Sequence, residues 1–305
     1  MATHSPFKGA FWMVAAGLMF AVVNTSLQYL SIGFGLNSAS AVLWQYLIAL
    51  LVFLPLMRTG AIRQAMRSDF RLLHVMRVGV SVIGIQLWTW ALAYPVPIWQ
   101  GIALLMTSPL FATLGSGLVL REAVSGARWV ATVIGFAGSM LILQPWSDAF
   151  VWASLLPMAA AFFWACASLM TKFTVSRDTP STIVFYLLVL MLPFNFLVGV
   201  AQFQLPDTAM VWGLLVAVGG LTALAQWAIA KAYSVADASF VQPFDHVKLP
   251  LNVLAGYLVF GWVPPGALWL GSAFIIASVA FVTHYEHHGN PVAVLWRRMK
   301  DEGKI

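Results

Sequence analysis

Apolar residues run in long stretches along this chain, and short polar connections separate them. A helix that crosses the hydrocarbon core of a bilayer needs about 20 mostly apolar residues. The connections are too short to hold a soluble domain, so the pattern predicts an all-α integral membrane protein. Ten stretches qualify as transmembrane helices: 9–30, 38–57, 75–94, 98–120, 128–145, 152–173, 181–203, 210–233, 238–260 and 266–284.

The composition supports the same class of protein. Hydrophobic residues make up 61% of the 305 residues and charged residues only 9%, whereas soluble domains carry about 25% charged residues. So few charges could not cover a soluble core of this size. The net charge of +6 therefore reports orientation in the lipid bilayer, and we expect no nucleic-acid partner.

The positions of Lys and Arg predict the topology. If the N-terminus is cytoplasmic, every Lys and Arg except Lys248 falls at a cytoplasmic end or loop. The opposite loops hold no basic residue and carry Asp148 and Asp207 instead. The positive-inside rule thus predicts ten spans, with both termini cytoplasmic, in a membrane of the bacterial inner-membrane type.

Two parts of the chain repeat one pattern. Trp88 precedes an Ala-Leu-Ala-Tyr segment that ends at Tyr94, and Trp227, 139 residues later, precedes an Ala-Lys-Ala-Tyr segment that ends at Tyr233. Each half contains five predicted spans, and an odd number inserts the second half in the opposite direction. The predicted units are a first five-helix repeat, an inverted second repeat and a cytoplasmic tail, over 1–145, 146–284 and 285–305.

Spans four and nine each carry an internal proline, Pro109 and Pro250. A proline removes a backbone hydrogen bond and bends a helix, so these spans are predicted to flex. The alternative is close packing of small residues against neighbouring helices. The predicted hinge residues are Pro109, Pro250, Gly115, Gly117 and Gly256.

The order of these motifs resembles the drug/metabolite transporter superfamily of the EamA type. The resemblance rests on the two Ala-x-Ala-Tyr endings, on the two prolines, and on Arg121-Glu122 followed by Gly126 and Trp129. It implies ten helices and a secondary transporter that exports small metabolites; the nearest functional analogue is an aromatic amino-acid exporter. Trp262 replaces the acidic counterpart of Glu122, which leaves the substrate open.

An ionisable residue within a membrane span costs free energy, so its presence there indicates a functional role. Asp245, His246 and Lys248 lie in predicted span nine, about 10–15 Å from its cytoplasmic end. Asp245 and Lys248 are three residues apart and can share a helix face. They form either a structural ion pair or a site for the charged end of the substrate, or for a coupled proton.

Aromatic and amide side chains at membrane depth are further candidates. Tryptophan rings can stack on a flat or cationic ligand, and a buried amide needs a partner or a wet cavity. Packing against lipid or other helices is the alternative for each tryptophan. The predicted substrate-binding residues of this kind are Trp44, Trp88, Trp164, Trp227, Gln86, Gln226 and Gln242.

These patterns predict a secondary active transporter that exports small metabolites, with aromatic or neutral amino acids as the expected substrates. Alternating access around a midplane cavity is the expected mechanism. The sequence contains no Gly-x-x-x-x-Gly-Lys phosphate loop and no His-Glu-x-x-His pattern, so we expect no cofactor, metal or catalytic residue. A membrane enzyme, or a channel or receptor, is the alternative class. The sequence predicts no oligomeric state.

Overall fold

The computed structural model describes residues 6–57, 62, 64–66, 68–93, 98–119, 126–144, 146, 150, 152–236, 241, 244 and 247–287. Within these ranges the chain is helical and contains no strand. The α-helices are α1 (Pro6–Phe34), α2 (Ser38–Leu56), α3 (Arg71–Ala93), α4 (Ile98–Leu105), α5 (Ser108–Val119), α6 (Gly126–Leu143), α7 (Leu155–Thr174), α8 (Pro180–Gly199), α9 (Ala209–Val235), α10 (Lys248–Phe260) and α11 (Gly266–His287).

The helices coincide with the predicted apolar stretches to within a few residues, with two exceptions. Helices α4 and α5 both occupy the fourth stretch, and α10 begins at Lys248, ten residues after the predicted start of the ninth. Within the described ranges, five helical segments are each long and apolar enough to cross a membrane: Phe7–Phe34, Ser38–Leu56, Trp152–Thr174, Pro180–Gln202 and Ala209–Val235. Shorter apolar helices include Lys248–Phe260 and Gly266–Ser278. The all-α membrane class is therefore supported, whereas ten crossings and cytoplasmic termini stay predictions.

Helix packing relates the two halves of the chain. Helix α1 packs on α9, and the corresponding pair of the other half, α7 on α3, is also in contact. The same exchange relates α2–α9 to α8–α3, and α1–α10 to α7–α5. Helices α2 and α8 pack on each other, as do α6 and α11. Such paired contacts are what two related halves produce around a two-fold axis.

Helices α6 and α11 approach each other so closely that each has a glycine at the contact. A Cβ added to Gly138 would lie 2.6 Å from the carbonyl oxygen of Gly271, and one added to Gly271 would lie 2.5 Å from that of Gly138. Small residues let backbones approach closely in membrane proteins, where packing drives helix association. This pair therefore ties the last helix of each half to the other.

Both prolines lie in the first turn of a helix, and in span four the helix is interrupted just before Pro109 instead of continuing through it. The predicted hinge role of both prolines stays a prediction. Helix α4 ends at Leu105 and α5 begins at Ser108, one residue before Pro109. Helix α10 begins at Lys248, two residues before Pro250. The first-turn N–H groups of a helix have no partner within it, so a proline there costs no hydrogen bond. The helix break in span four lies at a repeat position equivalent to the start of α10.

Candidate functional site

The start of α10 brings a cation against α1. Lys248 is half-buried, and its Nζ lies 5.0 Å from the centroid of the Phe20 ring. Gly17 lies one turn earlier on α1, and a Cβ added there would lie 3.4 Å from Cγ of Lys248. The absence of a side chain at Gly17 thus leaves room for the lysine stem, and the aromatic face attracts its ammonium group.

Two asparagines adjoin this lysine. Nδ2 of Asn24 on α1 donates to Oδ1 of Asn252 on α10 over 3.3 Å. Nδ2 of Asn252 donates in turn to the backbone oxygen of Lys248 over 2.7 Å. Asn252 is buried, whereas Asn24 is half-buried. We call Phe20, Asn24, Lys248 and Asn252 the polar corner.

The equivalent place in the other half is apolar. The segment Ala15-Ala16-Gly17 matches Ala159-Ala160-Ala161, a shift of 144 residues. This shift pairs Phe20 with Trp164 and Asn24 with Ser168. The proline match pairs Asn252 with Phe111 and Lys248 with Thr107.

Phe111 and Trp164, which we call the aromatic corner, both pack against one buried cluster. This cluster contains residues of α4, of α7 and, from α10, Leu249 and Val253. Those two residues directly follow Lys248 and Asn252 in the sequence, and α10 also contacts α4. The helix that carries Lys248 and Asn252 therefore also contributes to the cluster against which the aromatic corner packs.

The predicted tryptophans of spans three, six and eight lie on helix contacts. Trp164 fills the space beside Gly84 of α3, where an added Cβ would lie 2.6 Å from Nε1 of the indole. Trp88 lies on Gly101 of α4 in the same way, at 2.8 Å from the added Cβ. Trp227 packs edge-on against Trp12 of α1, with the ring centroids 5.1 Å apart. All three of these predicted residues are half-buried.

Trp44 lies elsewhere. Its Nε1 donates to the backbone oxygen of Gln204 over 3.0 Å, and its ring packs on Phe203 and Trp212. These contacts place Trp44 against the connection between α8 and α9. The same connection bonds to Asn37 and Ser40 at the start of α2. Trp44 therefore belongs to a polar network at one end of the bundle and not to either corner.

Two of the intramembrane glutamines have the partners that burial requires. Nε2 of Gln45 donates to Oγ1 of Thr222 over 2.8 Å, and Nε2 of Gln86 donates to Oδ1 of Asn195 over 3.4 Å. Gln226 is half-buried on α9, next to Trp227. Each of these two hydrogen bonds joins a helix of one half to a helix of the other.

Three predicted residues, Gln242, Asp245 and His246, lie outside the described residues. The predicted pairing of Asp245 with Lys248 therefore stays a prediction. Among the predicted hinge glycines, Gly115 packs closely: an added Cβ would lie 2.7 Å from Cδ1 of Leu169. Gly256 has room, since the nearest atom to an added Cβ is 3.9 Å away on Trp262. Gly117 lies near the end of α5.

Sequence reasoning missed a second polar network, near the start of α3. Nε2 of His74 lies 2.9 Å from Oδ2 of Asp178, which also accepts a bond from Oγ of Ser68 over 2.7 Å. The buried Arg77 donates to the backbone oxygen of Ile183 over 2.9 Å. The topology prediction treats Arg77 only as a positive charge near the cytoplasm. Its place within an apolar stretch is the signal that could have shown its burial.

The residues described here contain no cluster of three His, Cys, Asp or Glu side chains that could hold a metal ion. Lys172 has a backbone partner: its Nζ donates to the backbone oxygen of Ala236 over 2.8 Å, just beyond the end of α9. Among the described residues, Lys248 is the half-buried cation that lies beside the hydrogen-bonded pair Asn24 and Asn252.

Known proteins resemble nearly the whole chain. A riboflavin transporter of Vibrio cholerae is 64% identical over 283 residues, which cover 93% of this chain and 95% of the relative. A riboflavin transporter of Rhizobium johnstonii is 47% identical and covers 91% of both. An S-adenosylmethionine uptake transporter of Rickettsia prowazekii is 23% identical and covers 92% and 93%.

A solved crystal structure shares the fold at a TM-score of 0.69 and 17% identity, covering 92% of this chain and 97% of the other. The EamA-like transporter family matches twice, over residues 7–144 and 151–284. The matches and the long apolar helices identify a multi-pass protein of the bacterial inner membrane that is a transporter and not an enzyme. The chain belongs to the EamA-like transporter family.

Proposed function

We propose that this protein carries riboflavin across the bacterial inner membrane. The observation that carries the proposal is the 64% identity, over almost the full length of both chains, to a riboflavin transporter. Relatives at 47% and 42% identity have the same name. These names give no support to the expected amino-acid substrate, and they specify no direction, so the expected export gains no support either.

The chemistry of the two corners suits a flavin. Riboflavin has a flat three-ring system with an apolar dimethylbenzene end and a polar pyrimidine end. Tryptophan and phenylalanine provide faces and edges for such rings, and asparagine provides both a donor and an acceptor. The polar corner supplies the amides and a cation, while Trp164 and Phe111 supply aromatic surface.

The proposed mechanism is alternating access by two inverted halves. The exchanged helix pairs and the helix break in span four support it, because transporters built from inverted repeats bind substrate where helices are interrupted. The prolines Pro109 and Pro250 and the glycines Gly115, Gly117 and Gly256 would take part as hinges. A proton is the candidate coupling ion. Nucleotide hydrolysis is not expected without a phosphate loop.

Flux measurements in a bacterial host that cannot synthesise riboflavin test the proposal. Intact cells that express the chain should take up or release radiolabelled riboflavin faster than cells with an empty vector. Uptake and efflux from preloaded cells, measured separately, give the direction. Unchanged riboflavin flux in both directions, with the protein present in the membrane and a neutral amino acid moving faster, would contradict it.

A further inference from the structure

We propose that riboflavin binds in one orientation, with its pyrimidine ring at the polar corner and its dimethylbenzene ring at the aromatic corner. The inference rests on the proposed riboflavin transport and adds which residues recognise which end of the ligand. It assigns a binding role to Asn24 and Asn252, neither of which the sequence analysis identified.

The first step is the asymmetry between equivalent positions. The repeat places Phe111 where the second half has Asn252, and Ser168 where the first half has Asn24. A site made from two equal halves would present the same chemistry to both ends of a ligand. Here one end meets amides and a cation and the other meets aromatic rings, so a ligand with unlike ends has one favourable orientation.

The second step is the set of hydrogen-bonding groups. Asn24 donates one N–H to Asn252, which leaves its second N–H and its Oδ1. A carboxamide offers a donor and an acceptor side by side, the pattern that reads a base edge bidentately. The pyrimidine ring of a flavin presents the matching edge, a carbonyl next to the N3–H group.

The third step is charge. Nζ of Lys248 lies over the Phe20 ring on the same side of α1 as Asn24, which is one turn further along the helix. An ammonium group donates to carbonyl oxygens and ring nitrogens, and positive charge near N1 of a flavin stabilises electron density there. The dimethylbenzene end has no such acceptor, so it gains nothing from this corner.

The fourth step is reach. Leu249 and Val253 pack in the same cluster as Trp164 and Phe111, while Lys248 and Asn252 are their neighbours on α10. Helix α10 contacts α1, which carries Phe20 and Asn24, and also α4, which packs on the α7 helix of Trp164. A flavin that spans these neighbouring helices would contact both corners.

The test uses the purified full-length chain and competition against radiolabelled riboflavin. The competitors are N3-methylriboflavin, which lacks the N3–H donor, and 8-dimethylamino-8-demethylriboflavin, which is bulkier at the benzene end. We expect the wild type to bind N3-methylriboflavin about 10-fold to 100-fold more weakly than riboflavin, because a polar group is left without its partner.

Two variants separate the corners. Asn24→Leu should lose discrimination against the N3-methyl group and keep its response to the 8-substituent. Trp164→Ala should show the reverse. The ratio of two affinities is the readout, because a purely structural defect would weaken both ligands together. Thermal unfolding and size-exclusion profiles verify that each variant is folded.

Several results would overturn the orientation. One is a wild type that binds both N3-methylriboflavin and riboflavin equally well. Another is an Asn24→Leu variant that loses affinity for riboflavin but not for lumiflavin, which lacks the ribityl chain; the polar corner would then hold that chain. A wild type that binds no riboflavin would overturn the proposed function as well, and so the two failures are distinguishable.

Discussion

The start of α5 and the start of α10 are equivalent backbone positions with different chemistry. At the first, Leu104 and Leu105 are buried, and Thr107 bonds to the backbone oxygen of Leu104 over 2.7 Å. At the second, Lys248 faces an aromatic ring and an asparagine pair. A helix thus begins at both positions, while the side chains around the two helix starts diverge. The architecture is common to both halves, and recognition is expected where they differ.

Removal of the positive charge of Lys248, which distinguishes the two helix starts, should have the largest effect on riboflavin transport. Lys248→Met keeps the length of the side chain but loses its charge-assisted hydrogen bonds, so riboflavin exchange by proteoliposomes should fall about 10-fold or more. The matched control is Lys231→Met on α9, which removes another half-buried lysine outside both corners. Equal exchange by the Lys248 variant and wild type would remove the polar corner from the site.

The aromatic corner should contribute somewhat less. Trp164→Ala should weaken riboflavin binding about 5-fold to 10-fold, since the lower end of the about 1–3 kcal/mol range for loss of a stacking ring applies to a half-buried indole. Trp164→Phe keeps an aromatic face and should retain most of the affinity. Quenching of riboflavin fluorescence by the purified protein measures both. If the alanine and phenylalanine variants bind equally well, stacking at this position is not part of recognition.

The contact between α6 and α11 has the same residue, glycine, on both sides, unlike the different starts of α5 and α10. Gly271→Ala places a methyl group against the Gly138 backbone and should lower the free energy of unfolding by about 1–3 kcal/mol. Gly256→Ala makes the same change where there is room and should alter it by less than about 1 kcal/mol. Thermal unfolding in detergent compares them. A larger loss for Gly256→Ala would contradict the packing described.

Topology is the subtlest test of the inverted relation. In a Cys166→Ser background, a cysteine introduced at Pro206 should react with a membrane-impermeant maleimide added outside the cells, and one introduced at Gln64 should not. These positions lie in connections predicted on opposite sides of the membrane. The reverse labelling would contradict the topology predicted from the positions of Lys and Arg. It would also contradict the assignment of both termini to the cytoplasm.

Hydrophobic length predicted the helices well because burial in lipid demands long apolar segments whatever the neighbours are. Pro109 and Pro250 stand out in the sequence, and α5 and α10 begin one and two residues before them. Sequence spacing alone does not separate a proline that kinks a helix from one in its first turn. Local sequence therefore locates an irregularity better than it specifies its geometry.

The candidate site was less accessible to sequence reasoning. Lys248 was identifiable because a charge within an apolar stretch is rare. Asn24 and Asn252 are 228 residues apart, so only the packing of α1 on α10 shows that they meet. Trp44 was a candidate because of its depth in span two, and only the structure shows that its indole donates to the connection after α8.

Riboflavin counterflow with purified protein in liposomes tests the central claim most directly. Vesicles loaded with unlabelled riboflavin should transiently accumulate radiolabelled riboflavin from outside, and Lys248→Met vesicles should do so far more slowly than Lys231→Met vesicles. An excess of a neutral amino acid outside should leave the signal unchanged. No accumulation of riboflavin by wild-type vesicles, or accumulation that both lysine variants reduce equally, would contradict the account.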